Sequence, residues 1–242
     1  MRHRWPKVLG YHAITTLAHD PNMISTAPDR FEAHMAYLKR RRLRGVSMRE
    51  LHRAMTVDGA KGLVGLTFDD GYRDFLHTAV PILERFGFSA TVFAVAGMPG
   101  GENAWRHAYS PRPRIKLLEN EELREVSNRG LEVGSHTMTH ADLLGTQPEL
   151  LRREVEESRR ILSTVLGEAV QGFCFPYGSL DGAAIQAVRR AGYAYACGVN
   201  ARPERTVYDW PRIPVSDRDN SVRFAAKLEV YTQYSYVKQR LP

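Results

Sequence analysis

Cysteine is nearly absent: Cys174 and Cys197 are the only two in a chain of 242 residues. Two thiols can build neither the cross-linked frame of a small secreted protein nor a four-thiol metal knuckle. The expectation is that both are small buried residues on neighbouring strands. Long apolar runs are missing too. No stretch approaches the roughly 20 apolar residues that a membrane helix needs, which leaves room only for peripheral contact with a lipid surface. The N-terminal MRHRWPKVLGYHAI has a basic start, but its apolar stretch is short, broken by Tyr11 and His12, and without a small-residue cleavage site. It does not read as a signal peptide, so the expectation is a cytoplasmic protein, or a periplasmic or extracellular one if the chain is a mature form. The third absence concerns histidine: none of the nine lies beyond His140.

What is present is ordinary for a globular protein: 43% hydrophobic and 25% charged residues, enough to bury a substantial core. One catalytic domain over residues 1–242 is the simplest division, because α/β barrels reach this size as single units. The formal charge of +7 suits an anionic partner, such as a phosphorylated or lipid-linked substrate. Its densest run, Lys39-Arg40-Arg41-Arg42-Leu43-Arg44, continues an amphipathic helix and reads as a solvated face. No nucleic-acid-binding motif accompanies it, so no nucleic-acid partner is expected.

Strand-like and helix-like segments alternate along the whole chain. Val8–Ile14 reads as a first strand; Phe31, Met35 and Leu38 then fall at i, i+4 and i+7, one apolar stripe of a helix. Ser47 caps a short helix to Met55. Leu63–Phe68 reads as a buried strand, residues 72–86 as a helix kinked or divided at Pro81, and Ala90–Val95 as another strand. Residues 97–114 form a long irregular loop around Trp105 and Tyr109; loops of this length are usually either functional lids or poorly ordered, and the aromatic pair favours the first. Helices follow at 121–128, 148–166, 181–190 and 222–231, with strands at 131–134, 172–175 and 193–199. About seven strand-helix units imply parallel strands, closed into a barrel or laid out as a doubly wound sheet. In either case the active site belongs at the carboxyl ends of the strands.

Three stretches sit at such ends. In GLTFDDGY, Asp69 and Asp70 follow directly on an apolar strand, as a turn or as catalytic acids. In LEVGSHTMTH, His136 and His140 are four apart, so a helical turn would put both imidazoles on one face. Asp70, His136 and His140 together offer one oxygen and two nitrogen donors and leave coordination positions open, as a hydrolytic metal centre requires, although non-haem iron sites share that set. Asp69 is then placed as general base toward water at the metal. In GFCFPYG, Pro176 and Tyr177 form a rigid turn whose backbone, around Tyr177, could donate to an oxyanion.

TFDDG, SHTMTH and FPYG, in this order and at these separations, resemble the polysaccharide deacetylases of the NodB-homology type, carbohydrate esterase family 4. The resemblance runs from YHAI to WPRIPV. It implies a distorted, incomplete β/α barrel of about seven strands, with Asp69 as base and Asp70, His136 and His140 as metal ligands. The chain departs from the family in two places. Many members carry an Arg two positions before the proline of the third motif, where this chain has Cys174, and many end with a Leu-x-His whose His is the acid. Similarity to the poly-N-acetylglucosamine deacetylases explains both, since that subgroup carries an early Tyr-His and lacks that Arg. His12 is thereby implied as the acid, and Arg212 could pair with Asp69 in place of the missing Arg.

The expected function is therefore metal-dependent removal of an acetyl group from an N-acetylated amino sugar. Zinc is the first choice of metal, with cobalt, nickel and iron also compatible. Trp105, Tyr109 and Trp210 are candidate sugar-stacking walls. The alternatives are hydrolysis of another acyl amide, ester or non-peptide C–N bond at the same centre, or a glycan-binding barrel without catalysis.

Overall fold

Parallel strands whose amide and carbonyl groups need partners on both edges, and helices long enough to cover both faces, leave few arrangements. The computed structural model describes residues 5–57, 59–105, 113–199 and 206–237. Its strands are β1 (Lys7–Tyr11), β2 (Arg44–Val46), β3 (Leu63–Phe68), β4 (Thr91–Ala94), β5 (Glu132–Ser135), β6 (Gly172–Cys174), β7 (Tyr195–Cys197) and β8 (Ile213–Pro214). Its helices are α1 (Pro28–Arg40), α2 (Met48–Thr56), α3 (Val80–Phe86), α4 (Asn120–Asn128), α5 (Pro148–Arg152), α6 (Ser158–Leu166), α7 (Gly182–Arg190) and α8 (Ser221–Val237). Among the described residues, these eight strands make one sheet in the order β7-β6-β5-β4-β3-β1-β8, with β2 also on β3.

Every pairing is parallel, so all carboxyl ends open on one rim. The distortion lies at β3. One edge of β3 pairs with β1 along its length. The other takes β2 beside Leu63–Gly65 and β4 beside Thr67 and Phe68. The curled sheet closes through residues 210–214: Trp210 bridges to Cys197 of β7, and Ile213 pairs with Leu9 of β1. A two-residue strand makes a weak seam, hence the incomplete barrel. No helix among the described residues is long and apolar enough to cross a membrane.

Most elements fall where hydrophobic periodicity places them. Phe31, Met35 and Leu38 are buried on α1, Ser47 accepts the Glu50 N–H at the start of α2, and Asp181 accepts the Ala184 N–H at the start of α7. Cys174 and Cys197 are partners across β6 and β7, both buried and both free. Three elements add detail that periodicity does not carry. β1 stops at Tyr11, so His12 leaves the strand and enters the rim. Pro81 stands near the start of α3 and cannot donate a helical hydrogen bond; before it, Phe75–Ala79 widens so that Val80 N–H reaches Phe75 O. The helix expected over 148–166 is likewise interrupted by a wide turn at Arg153–Glu157.

At the opposite end of the barrel a buried acid ties four elements together. Glu132 accepts from Thr91 Oγ1 (2.6 Å), the Arg49 N–H (2.7 Å) and the Tyr195 hydroxyl (2.8 Å). Burial pushes its carboxyl above the usual value despite these donors. Tyr195 reaches Glu132 across Gly172, where a Cβ would collide with the phenol oxygen. Gly172→Ala is therefore expected to lower stability by about 2 kcal/mol through overpacking. Gly182→Ala, in the first turn of α7 where no atom lies within 4 Å of the added carbon, is expected to raise it by about 0.5–1 kcal/mol. Urea denaturation of the two variants measures both effects.

Candidate active site

Strand β3 ends at Phe68 and delivers Asp69 to the rim, where its N–H still bonds Tyr11 O at 2.9 Å. Its carboxylate is held at both oxygens: Arg212 Nη1 donates to Oδ1 at 2.6 Å and Nη2 to Oδ2 at 2.8 Å. The guanidinium is itself fixed, with Nε donating to Gly198 O and Nη1 also to Thr67 Oγ1. Burial would raise the Asp69 carboxyl, but the facing Arg212 outweighs it and brings the pKa down to about 2. The Cys174 thiol lies 3.6 Å from Asp69 Oδ1. Burial raises this thiol to about 11 against the pull of Arg212, so it stays protonated near neutrality.

Asp70 turns away from its neighbour because its backbone is left-handed, with φ 72°. Its Oδ1 lies 3.4 Å from His136 Nε2 and 3.1 Å from His140 Nε2. All three side chains are buried, and their donor atoms lie within 4.8 Å of one another. The two histidines do not share a helical turn. They leave β5 on a loop in which Thr137 (φ 68°) and His140 (φ 61°) are both left-handed, and this brings the rings together with centroids 4.9 Å apart. The far side of each ring is anchored. His136 Nδ1 lies 2.9 Å from Cys174 O, which can only accept, so Nδ1 carries a proton and Nε2 is the nitrogen turned toward Asp70. His140 Nδ1 lies 3.0 Å from the Tyr177 hydroxyl.

This donor set fits a divalent metal: two imidazole nitrogens and a carboxylate, with the outer nitrogens oriented by hydrogen bonds. Burial lowers the His140 pKa, favouring the neutral ring that coordination needs, whereas Cys174 and Asp70 raise that of His136 against its burial, so a metal there would displace a proton from this ring. Burial alone would raise the Asp70 carboxyl, but His140 and His136 hold it well below the usual range. A second compact group, Asp69, His136 and Cys174, is a poorer donor set. Its carboxylate is taken up by Arg212 and its thiol is protonated.

The site lies in a cavity of about 470 Å³. His12 lines it, with Nε2 3.9 Å from Asp69 Oδ2 and its side chain about 31% exposed. Trp105 lies against His140, ring centroids 4.3 Å apart and planes at 22°. Tyr177, also left-handed at φ 59°, meets the same imidazole edge-on. Pro176 is buried and holds the turn without lining the cavity. Trp210 is a correction: it is fully buried and packs edge-on against Trp5 at 4.9 Å, away from the cavity, so it cannot stack on a sugar. Its indole is consumed by the barrel seam. Tyr109 lies outside the described residues.

Two groups near the site escape sequence reasoning. Asn22, Met23 and Ile24 also line the cavity, on a turn stapled by Asp20, which accepts from Ile24 N, Ser25 N and Ser25 Oγ. Beneath the histidine loop lies Glu154, fully buried and bonded to Met138 and Thr139. The second left a trace. Leu151, Glu154, Val155, Ser158 and Leu162 fall at buried helical spacing, which puts an acid on an otherwise inward stripe.

Comparison with known proteins bears on family and fold. The sequence profile of the family described as "Polysaccharide deacetylase" matches residues 56–196. The chain is 25% identical to YxkH of Bacillus subtilis (strain 168) over 92% of this chain and 75% of that one. It is 23% identical to the poly-beta-1,6-N-acetyl-D-glucosamine N-deacetylase of Staphylococcus aureus (strain MRSA252), over 80% of this chain and 68% of that one. In fold it resembles the Streptococcus pyogenes deacetylase PplD, solved in complex with acetate, with a TM-score of 0.79, 23% identity, and 92% and 97% of the two chains covered. The profile match spans more than half the chain and runs from α2 to β7, through the strands that deliver Asp69, Asp70 and both histidines, so this chain belongs to the polysaccharide deacetylase family.

Proposed function

We propose that the chain is a metal-dependent N-deacetylase that releases acetate from an N-acetylated amino sugar in a polysaccharide or glycoconjugate precursor. The observation that carries this reading is the convergence of Asp70, His136 and His140 beside a carboxylate locked by Arg212, in one cavity. The Staphylococcus aureus relative, named for deacetylating a β-1,6-linked N-acetylglucosamine polymer, supports the substrate class. The excess of cations, +7, supports an anionic or lipid-linked carrier.

Asp70, His136 and His140 hold the metal, with zinc the first choice for a site of two imidazoles and a carboxylate. Bound there, a divalent cation supplies Lewis-acid polarisation of the acetyl carbonyl and eases deprotonation of water. Asp69 takes the proton from the attacking water. Its pairing with Arg212 keeps it ionised and fixed in orientation, at the cost of some basicity. His12, whose Nε2 lies 3.9 Å from Oδ2 of the same carboxylate, donates a proton to the departing amine. Between them the two groups move a proton from water to leaving group. The backbone at Tyr177 steadies the oxyanion, and Trp105 walls off the acetyl end of the pocket. The Asn22–Met23 wall faces the sugar.

Three measurements test this reading. His136→Ala is expected to lose bound zinc by elemental analysis and acetate release with it. Asp69→Asn should keep its zinc and lose acetate release from chitooligosaccharides by about 10²–10⁴-fold, the usual weight of a general base. A zinc-free wild-type protein together with undiminished Asp69→Asn activity would sink the mechanism. Arg212→Met leaves the Asp69 carboxylate buried without its partner, a change that costs about 3–5 kcal/mol. Its expected result is a lowered melting temperature together with weakened acetate release.

A further inference from the structure

Both imidazoles of the proposed metal site hang from a five-residue loop that is not at rest. Thr137 and His140 occupy the left-handed region, which costs a residue with a Cβ about 1–3 kcal/mol and persists only where the surroundings over-determine it. Two clamps do so. From one side, the chain leaving β4 donates Ala96 N–H to Thr137 O and Gly97 N–H to Met138 O, both at 2.9 Å. A Cβ on Gly97 would stand 2.5 Å from that Met138 oxygen, so only glycine passes. From the other side comes Glu154. Its Oε2 accepts the Met138 and Thr139 N–H groups, both at 2.9 Å, and its Oε1 accepts the Thr139 hydroxyl at 2.8 Å.

Glu154 is in turn fixed. It is 1% exposed and lies within the wide turn Arg153–Glu157. The next residue's carbonyl, Val155 O, accepts from Ser158 Oγ (2.9 Å) and the Tyr193 hydroxyl (3.1 Å). Ser158 Oγ also accepts from Ser135 Oγ at 2.8 Å, at the last residue of β5 before His136. The wide turn and the strand that launches the histidine loop are thus pinned to each other.

We infer that Glu154 is a positioning residue for the His136–His140 pair, setting through this loop the affinity and coordination geometry of the metal site. The inference rests on the metal reading proposed above. The carboxylate touches neither the metal donors nor the cavity; it acts by holding Met138 and Thr139 so that His140 returns toward Asp70.

The test compares Glu154→Asp with Glu154→Gln. Aspartate retracts the acceptor by one methylene and lets the loop relax. Glutamine keeps the reach: its single oxygen can accept both N–H groups, and its amide can donate to the Thr139 hydroxyl. Zinc affinity is read by competition with a chromophoric chelator, geometry by the visible d–d spectrum of the Co²⁺-loaded protein, and folding by circular dichroism. Glu154→Asp is expected to bind Zn²⁺ about 10–100-fold more weakly, as loss of outer-shell support does, with an altered Co²⁺ spectrum and a native circular dichroism spectrum. Glu154→Gln is expected to match wild type in all three. A folded Glu154→Asp protein with wild-type affinity and spectrum overturns the inference. So does a Glu154→Gln protein as weak as Glu154→Asp, since charge rather than loop geometry would then be the contribution. Should Glu154→Asp fail to fold, Thr139→Val removes one clamp bond alone and is expected to shift affinity and spectrum in the same direction by less; no shift overturns the inference. Wild-type protein that binds neither Zn²⁺ nor Co²⁺ overturns the metal reading and this inference together.

Discussion

The bidentate pair between Arg212 and Asp69 is the constraint on which the rest depends. An arginine and a carboxylate, both buried, cost several kcal/mol of lost hydration each, and the cost is offset only by good geometry and complete hydrogen bonding. The geometry is good, and four guanidinium N–H groups are bonded: to both carboxylate oxygens, Gly198 O and Thr67 Oγ1. These partners belong to β3, to the exit of β7 and to the segment leading into β8, so one ion pair spans the seam where the barrel closes. The backbone bonds of that seam run from Trp210 to Ala196 and Gly198 on one side and from Val215 to Gly10 on the other, and β8 itself contributes only two residues. The group that completes the fold is therefore also the group that keeps the proposed base ionised.

Strain is concentrated in the same place. Six residues other than glycine have positive φ among those described: Met23, Arg42, Asp70, Thr137, His140 and Tyr177. All but Arg42 line the cavity or belong to the histidine loop. Each costs free energy that an unconstrained chain would recover. Their clustering means that the surrounding barrel holds the donor atoms in place before any ligand arrives, which is the condition for a preorganised site. Asp70 shows the consequence most directly. Its left-handed backbone lets consecutive aspartates face one pocket with separate partners, Arg212 for one and the imidazoles for the other.

Much of this was legible in the sequence, and what was not has physical causes. Asp69, Asp70, His136 and His140 are legible only together: an Asp-Asp-Gly turn or two histidines four apart are ordinary alone, and their shared position at strand ends is what points to a site. The alternation of elements follows from apolar periodicity. β2 and β8 carry no period, being three and two residues long, and exist because β3 and β1 present unpaired edges. The four-residue spacing of the histidines suggests a helix, yet a loop with two left-handed residues achieves the same convergence. Trp210 has the chemistry of a sugar platform and the position of a core residue, and only packing decides between them. Arg212 lies 143 positions from Asp69, a pairing that local pattern cannot reveal and that only the family resemblance suggested.

The pairing of Arg212 also accounts for the residue that departs from the family pattern. Where many relatives carry an arginine two positions before the proline of FPYG, this chain has Cys174, whose sulfur lies 3.6 Å from Asp69 Oδ1. A carboxylate already bonded at both oxygens by one guanidinium has little left to offer a second, and two buried cations around one anion would leave a net charge without solvent. The neutral thiol fills that space as a weak donor and adds no charge. Its backbone serves the neighbouring site, because the Cys174 carbonyl fixes the His136 tautomer. In this chain the charge that meets Asp69 comes from Arg212, in the segment leading into β8, and the side chain beside it at position 174 is a neutral one.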